Sequence, residues 1–331
     1  MTEPLLRIEG YSLTLRSGDG PVRILDDLDL TIGHGEVVGL AGESGSGKTM
    51  TSLSIMRLLP HHARTEGRIL VEGTDVLAVP PRALRRLRGP TIGMVFQDPM
   101  TSLHPAIRVG EQIAEAVRAH EKVSRAAAQA RAVEMLRLVG IPDPAGRSRQ
   151  YPHQFSGGMQ QRVVMAIALA CRPKLLIADE PTTALDVTVQ AQVVDLLRDL
   201  RAELGMAILF VSHDLGLLSN LCERLVIMYG GQVVEDASTE QVFSAPRHPY
   251  THALLHAVPD PTTRGGRLMT IPGAPPQPGK LSGSCRFAPR CAYAVDACLD
   301  RDPPLEAPEP GRSVRCVRHA ELELTREPVP T

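Results

Sequence analysis

Hydrophobic and polar positions follow two rhythms along the chain. Leu5–Glu9 and Tyr11–Leu15 are compact apolar segments, followed by a turn cluster over Ser17–Pro21. Leu28–Ile32 alternates with period two, and Gly33–Gly35 interrupts it. Glu36–Ala41 (EVVGLA) has the continuous apolar pattern of a buried strand and leads through a Gly-rich turn into a predicted helix, Lys48–Leu59. From Pro99 to about Tyr151 the rhythm is helical. Val109–His120 and Ala126–Val139 are Ala-rich, with apolar residues at helical spacing and no strand pattern between them. Strand patterns resume at Leu175–Ala178 and Ala207–Ser212, with predicted helices at Gly158–Ala170 and Val187–Leu204. Strands alternating with helices predict an α/β fold on a largely parallel sheet, with a helical insertion. After Ala245 the pattern changes, because fifteen of the 28 prolines lie beyond it. Such a stretch runs neither long helices nor central strands. No internal repeat is visible.

Composition narrows the class. At 331 residues the chain holds two domains, or one large domain with an appendage. A net charge of -1 gives no electrostatic footprint for nucleic acid, and 3% aromatics with no Trp leaves few stacking platforms for single strands. No apolar run reaches the ~18–20 residues of a membrane helix. MTEPLLRIEG lacks the basic start and apolar core of a secretory signal, so a cytoplasmic location is expected, with any membrane role acting through other chains. Cys171 and Cys222 sit alone in apolar helical contexts and read as inert thiols, whereas Cys285, Cys291, Cys298 and Cys316 crowd into the last fifty residues.

Gly42-Glu43-Ser44-Gly45-Ser46-Gly47-Lys48-Thr49 matches GxxxxGK[ST] between a strand and a helix. The glycines let backbone N–H groups turn inward around phosphate oxygens, and the helix N-terminus adds its positive end. Lys48 is placed to reach β- and γ-phosphates, and the Thr49 hydroxyl to ligate Mg²⁺. Leu175–Ala178 runs into Asp179 and Glu180 at a sheet edge where such folds bind ligands. Asp179 is expected to hold Mg²⁺, and Glu180 to act as general base on the attacking water. A third feature, Phe155-Ser156-Gly157-Gly158-Met159-Gln160-Gln161-Arg162, puts a serine and two glycines at a helix start, a second anion-binding terminus. One nucleotide within one chain does not need two such termini; a head-to-tail dimer does.

SGGMQQR resembles the signature motif of ABC ATPases, and the other elements of that family occur in order. Gln97 in MVFQDP resembles the Q-loop, Ala184-Leu185-Asp186 the D-loop, and His213 in VSHD the switch histidine. The resemblance implies that Gln97 senses Mg²⁺ and the attacking water, that His213 contacts the γ-phosphate, and that Asp186 lies at the dimer interface. It also implies that Ser156, Gly157 and Gly158 close on ATP bound to the other subunit. The family stacks adenine on an early aromatic. Tyr11 is the only aromatic before Phe96, and register against the family offers Leu15 as the alternative.

FQDPMTSLHP, YPHQFSGGMQQR, ADEPTTALDVTVQAQ and HPYTHALLHAVP resemble the peptide/nickel importer group. These are uptake systems with an extracytoplasmic binding protein, two transmembrane permeases and two different ATPases; ALDVTVQAQ and GESGSGKT look more like the first of the two. The implied protein is a peripheral ATPase at the cytoplasmic face of the membrane, with no nucleic-acid partner. The cargo would be di- or oligopeptides, with nickel or another small solute as the alternative. The implied fold is a RecA-like core over 1–245, with a small antiparallel sheet and a helical subdomain at about 99–155. A Cys/Pro-rich extension covers 246–331. Four thiolates in a Pro-rich module suit a metal better than disulfides, and Cys285, Cys291, Cys298 and Cys316 resemble a tail that carries a [4Fe–4S] cluster in some relatives. Free structural thiols, or zinc bound in vitro, are the alternatives. A ribosome- or DNA-acting ABC ATPase is a less fitting reading, since the chain has one cassette and its insert lacks sustained heptads.

Overall fold

The computed structural model describes residues 3–18, 20–97, 102–182, 186–257, 270–277 and 283–324. In chain order the strands are β1 (Leu6–Ser17), β2 (Gly20–Ile32), β3 (Val37–Ala41), β4 (Arg64–Val71), β5 (Thr74–Asp75), β6 (Ile92–Val95), β7 (Leu175–Asp179), β8 (Ala207–Val211), β9 (Arg224–Tyr229), β10 (Gln232–Ser238), β11 (Glu306–Glu309) and β12 (Arg312–Val314). Residues divide into two compact units, the first 1–5, 32–37 and 71–211, the second 6–31, 38–70 and 212–331.

In the first unit β6, β7 and β8 run parallel, with Ile92 opposite Leu175 and Leu175 opposite Ala207. Every residue of the three is buried. A parallel sheet covered on both faces reads as a continuous apolar run, and IGMV, LLIA and AILFV have that composition. The helices expected from Ala-rich spacing are present at Val109–His120 and Arg125–Leu138, the second capped by the Ser124 hydroxyl, which accepts from the Ala127 amide at 3.1 Å. Gly157–Leu169 begins one residue before its predicted start. Val187–Leu204 has the predicted bounds, fixed by Asp186 at its N-cap and by Gly205 in the left-handed region (φ 65°) at its end.

The second unit holds a sheet in the order β2-β1-β4 and a run β11-β12-β10-β9-β3. Two early apolar segments, separated at Gly10 in the sequence reading, form one twelve-residue strand, β1. Gly10 bends it at φ 52° without ending it, and its amide donates to Asp29 Oδ1. The chain passes close by at Gly67, where a Cβ would stand 2.4 Å from the Gly10 carbonyl oxygen, so only glycine fits there. The helix after the phosphate loop ends at Ile55, short of the predicted Leu59. β3 pairs with β9 in parallel, and β9 turns at Gly230-Gly231 into antiparallel β10.

Among the described residues the Pro-rich extension holds the helix Pro249–His256 and adds only short edge strands to the sheet: β12 pairs antiparallel with β10, and β11 with β12. What holds it there is a buried carboxylate. Glu235 on β10 is fully buried and accepts from Arg312 Nη2 at 2.7 Å, from the Arg247 amide at 2.8 Å and from the His248 amide at 3.0 Å. A charge out of water persists only when paired and hydrogen-bonded on all sides, as here. His248, next in line, is itself buried. Burial holds its imidazole at a pKa of about 3, opposed by a hydrogen bond to the backbone of Arg315 and reinforced by the charge of that guanidinium. The ring is neutral and accepts from the Tyr250 amide through Nδ1.

Arg312→Met leaves the Glu235 charge without its cation and is expected to lower unfolding free energy by about 3–5 kcal/mol, read from urea unfolding. Because the native His248 pKa lies below the ordinary value near 6.5, the unfolded chain takes up the proton first. Its contribution to stability is complete above about pH 6.5 and is lost progressively as pH falls toward 3. Unfolding measured across that range should show the decline, and His248→Gln should make it shallower.

Candidate functional site

The phosphate loop belongs to the second unit, between β3 and the helix Lys48–Ile55. Gly42, Gly45 and Gly47 have φ of 150°, 81° and 107°. A Cβ at Gly42 would stand 2.3 Å from the Met228 carbonyl oxygen, and one at Gly47 would stand 2.6 Å from Leu25 Cδ2. The loop closes on itself through the Ser46 amide to the Glu43 carbonyl (3.1 Å), and the Gly231 amide donates to the Ser46 carbonyl (3.0 Å). Lys48, almost fully buried, extends along the loop and donates to the carbonyls of Gly42 (2.7 Å) and Glu43 (3.1 Å). The helix has no acidic residue in its first turn. Its first N–H groups have no partner within the helix itself, as at any helix start, which suits an anion. The buried Ser46 hydroxyl has no hydrogen-bond partner among the described residues, an orphaned polar atom inside the cradle.

Two hydrogen bonds to this loop come from residues that motif reading does not select. Tyr250 Oη accepts from the Glu43 amide at 2.8 Å. Arg290 holds the Glu43 carboxylate with both terminal nitrogens, at 2.7 and 3.0 Å. Tyr250 lies in the quoted HPYTHALLHAVP string, so its sequence signal existed but pointed only to a family. Arg290 stands one residue before Cys291, and no local signal marks it.

In the same unit Tyr11 is fully buried, and its hydroxyl donates to Ser54 Oγ at 3.0 Å. The expectation that it stacks adenine is therefore corrected: on β1 it points inward with Leu13, leaving no ring face open to a base. The alternative, Leu15, is half-buried and lines an open cavity with Thr14, Arg16, His61, His62 and Arg64. His213 is exposed, directly before Asp214, whose carboxylate caps the helix Leu215–Leu221 by accepting from Gly216 and Leu217 amides.

The first unit carries the acids. Asp179 is buried at the end of β7. Glu180 follows in the left-handed region (φ 46°), a conformation that costs a non-glycine residue free energy and recurs at functional sites. Its amide donates to the Val211 carbonyl at 3.0 Å, fixing the turn. Gln97, two residues past the end of β6, donates through Nε2 to Glu180 Oε2 at 3.0 Å. Two residues 83 apart in sequence, selected for separate reasons, thus touch. The Ser156-Gly157-Gly158 turn opens the helix Gly157–Leu169, with Ser156 and Gly157 exposed and the Ser156 hydroxyl accepting from the Met159 amide. Asp186 caps its helix by accepting from the Val189 amide at 2.9 Å. Ala184 and Leu185, and the DPMT that follows Gln97, lie outside the described residues.

Cys285, Cys291, Cys298 and Cys316 all line one small cavity, with His248, Phe287, Tyr293 and Arg318 around it. Burial raises the thiol pKa of Cys285, and lifts Cys291 and Cys316 to about 11; neighbouring thiols add to each shift. Among the described residues no group of three or more His, Cys, Asp or Glu side chains stands in metal-ligating geometry. Cys171 and Cys222 lie apart as free thiols, both made less acidic by burial.

Comparison with known proteins gives a consistent result. A family model described as ABC transporter matches residues 25–183, and one described as oligopeptide/dipeptide transporter, C-terminal region, matches 234–298. A putative peptide import ATP-binding protein of Brucella abortus (strain 2308) is 47% identical over 333 residues, covering 97% of this chain and 98% of its own. The oligopeptide transport ATP-binding protein OppD of Salmonella typhimurium (strain LT2) is 46% identical over 317 residues, covering 96% and 94%. Among solved structures, the ATP-binding cassette MJ0796, as a post-hydrolysis dimer bound to ADP and Pi, superposes with a TM-score of 0.62 at 28% identity, over 71% of this chain and 98% of that one. The cbiO1 protein of Clostridium perfringens, part of the ABC transporter complex cbiONQ, gives 0.63 at 28% identity, over 73% and 91%. Phosphate loop, paired acids, signature turn and Cys-rich extension thus occur together in one chain that belongs to the ABC transporter ATP-binding proteins of the oligopeptide/dipeptide group.

Proposed function

We propose that the chain hydrolyses ATP to drive uptake of di- or oligopeptides through membrane permeases it does not itself contain. Gly42–Thr49 cradles the phosphates, and Lys48 exchanges its present carbonyl partners for β- and γ-oxygens. The Thr49 hydroxyl and the Asp179 carboxylate are hard oxygen donors that would hold Mg²⁺, which would supply neutralisation of the phosphate charge. Glu180 takes the proton of the attacking water. Gln97, hydrogen-bonded to that carboxylate, orients it and reports its state toward the permease contact. His213 holds the γ-phosphate. Ser156, Gly157 and Gly158 complete the pocket of a second ATPase subunit, and Asp186 faces that subunit. The observation that carries the reading is the Gln97–Glu180 hydrogen bond: a glutamine poised on a strand-end carboxylate gives the general base an orienting partner, which an ordinary solvated strand end has no use for.

The pairing is read as head-to-tail with a second, non-identical ATPase, this chain being the first of the two. Two permeases and an extracytoplasmic binding protein complete the assembly at the cytoplasmic face. No helix among the described residues is long and apolar enough to cross a membrane, so attachment falls to the permeases. Cargo selection lies with the binding protein and permeases; a nickel-type importer is the alternative assignment.

The domain reading is a nucleotide-binding domain over 1–245, with its helical subdomain at about 99–155, and the extension over 246–331. Four soft thiol donors around one largely apolar cavity fit a [4Fe–4S] cluster, held by Cys285, Cys291, Cys298 and Cys316. When bound, its cationic iron would offset the burial that disfavours the thiolates of Cys285, Cys291 and Cys316, and it would knit the extension together.

Glu180→Gln is expected to cut ATP turnover of the assembled transporter at least about a hundredfold and to accumulate ATP-bound dimers, measured as phosphate release and by size-exclusion chromatography. Wild-type turnover in that variant would remove Glu180 from the base role. Anaerobically purified chain should contain iron and acid-labile sulfide by colorimetric assay; folded chain free of both would end the cluster assignment.

A further inference from the structure

The phosphate loop is gripped from outside the ATPase motifs, and the grip converges on one residue. Glu43 has four polar connections. Its amide donates to Tyr250 Oη, and its carbonyl accepts from the Ser46 amide and from Lys48 Nζ. Its carboxylate is held by the fork of Arg290. Arg290 is nearly buried (side chain 5% exposed) while the Glu43 side chain is 23% exposed. The rest of the guanidinium is fixed as well. Nε donates to the Pro272 carbonyl (2.8 Å), Nη1 to Tyr229 Oη (3.2 Å), and its carbon lies 5.7 Å from the Tyr229 ring centre. Tyr229 and Tyr250 pack with ring centres 4.5 Å apart, and Phe287 closes edge-on against both. A bidentate arginine set this firmly has few other rotamers to visit, so little entropy opposes the contact.

A second thread enters beside it. Arg286 donates to the Gly230 carbonyl and pairs with Asp26, and the next residue, Gly231, donates its amide to the Ser46 carbonyl. Each of the two arginines stands next to a cysteine of the thiol cavity, Arg286 after Cys285 and Arg290 before Cys291.

We infer that Arg290 is a positioning residue for ATP binding: it fixes Glu43, and through the Glu43 carbonyl the start of the loop and Lys48, while cancelling a negative charge that would otherwise face the incoming phosphates. This rests on the nucleotide-binding reading of residues 42–49. Two physical effects act in one direction. Without the fork the loop's first turn loses its anchor, and the Glu43 carboxylate is left uncompensated beside the place where a triphosphate binds. The extension is thereby part of the nucleotide site, although no ATPase motif lies within it.

The test is equilibrium titration of the full-length chain with the fluorescent analogue N-methylanthraniloyl-ATP, with folding checked by circular dichroism. Arg290→Met should raise Kd about tenfold, the effect of losing one charge-assisted contact. Arg290→Lys, which keeps the charge but not the fork, should raise it about threefold and serves if the first variant folds poorly. Adding Glu43→Gln to Arg290→Met should recover part of the affinity, because the stray charge goes with it. In the assembled transporter KM for ATP should rise while kcat stays within about threefold, a split that general destabilisation would not give. Arg290→Met binding within twofold of wild type would overturn the inference. So would a Glu43→Gln effect of the same size with and without Arg290, which would mean the two side chains do not act together. Lys48→Ala separates the two levels: if it binds the analogue as tightly as wild type, the nucleotide reading of the loop fails, not the role of Arg290 within it.

Discussion

A triphosphate can be wrapped by main-chain amides only where the chain carries no side chain in the way. Residues 42–49 meet that constraint at three glycines, and their neighbours have filled the space a Cβ would need. The Met228 carbonyl presses against Gly42, and Leu25 against Gly47. The loop is therefore packed tightly on its outer side, and its inner side is left to polar groups. Much of the second unit serves that arrangement. β3 delivers the loop, β9 backs it, the Gly230-Gly231 turn ties Ser46 down, and the extension holds Glu43. The acids in the first unit obey a different rule. There a fully buried parallel strand brings Asp179 to its end, and the left-handed backbone of Glu180 accompanies its hydrogen bond with Gln97.

How legible this was depended on the range of the interaction. Local rules worked. The bounds of the helix Val187–Leu204 were legible because what fixes them, Asp186 and Gly205 at its caps, is local. LLIAD and AILFV read as strands because burial on both faces leaves no polar position to confuse the pattern. The three-glycine loop and the strand-end acids were legible because phosphate chemistry demands fixed residue types at fixed spacing.

Long-range features were not legible. β1 was split at Gly10 because a bend and a break look alike without the partner strand. Tyr11 was selected as a ligand contact because few aromatics were available; which way its ring points depends on the pleat of a sheet whose register the sequence does not disclose. Arg290 and Glu235 have the composition of surface residues, and each is buried only because a partner far along the chain neutralises it. The four cysteines were noticed by their crowding, and the fold does bring all four to one cavity. The two arginines beside them, which link that cavity to the phosphate loop, gave no signal of their own.

The edge position of β12 has a consequence for how the molecule is made. During synthesis β9 and β10 leave the ribosome well before residues 306–314, and until those residues arrive β10 offers one row of unpaired backbone groups and Glu235 lacks its cation. The nascent chain thus waits for that segment with an adhesive border open to other nascent chains. Losing residues 306–314 would make that waiting state permanent, so this segment acts as the clasp that ends the period of greatest exposure to misassembly.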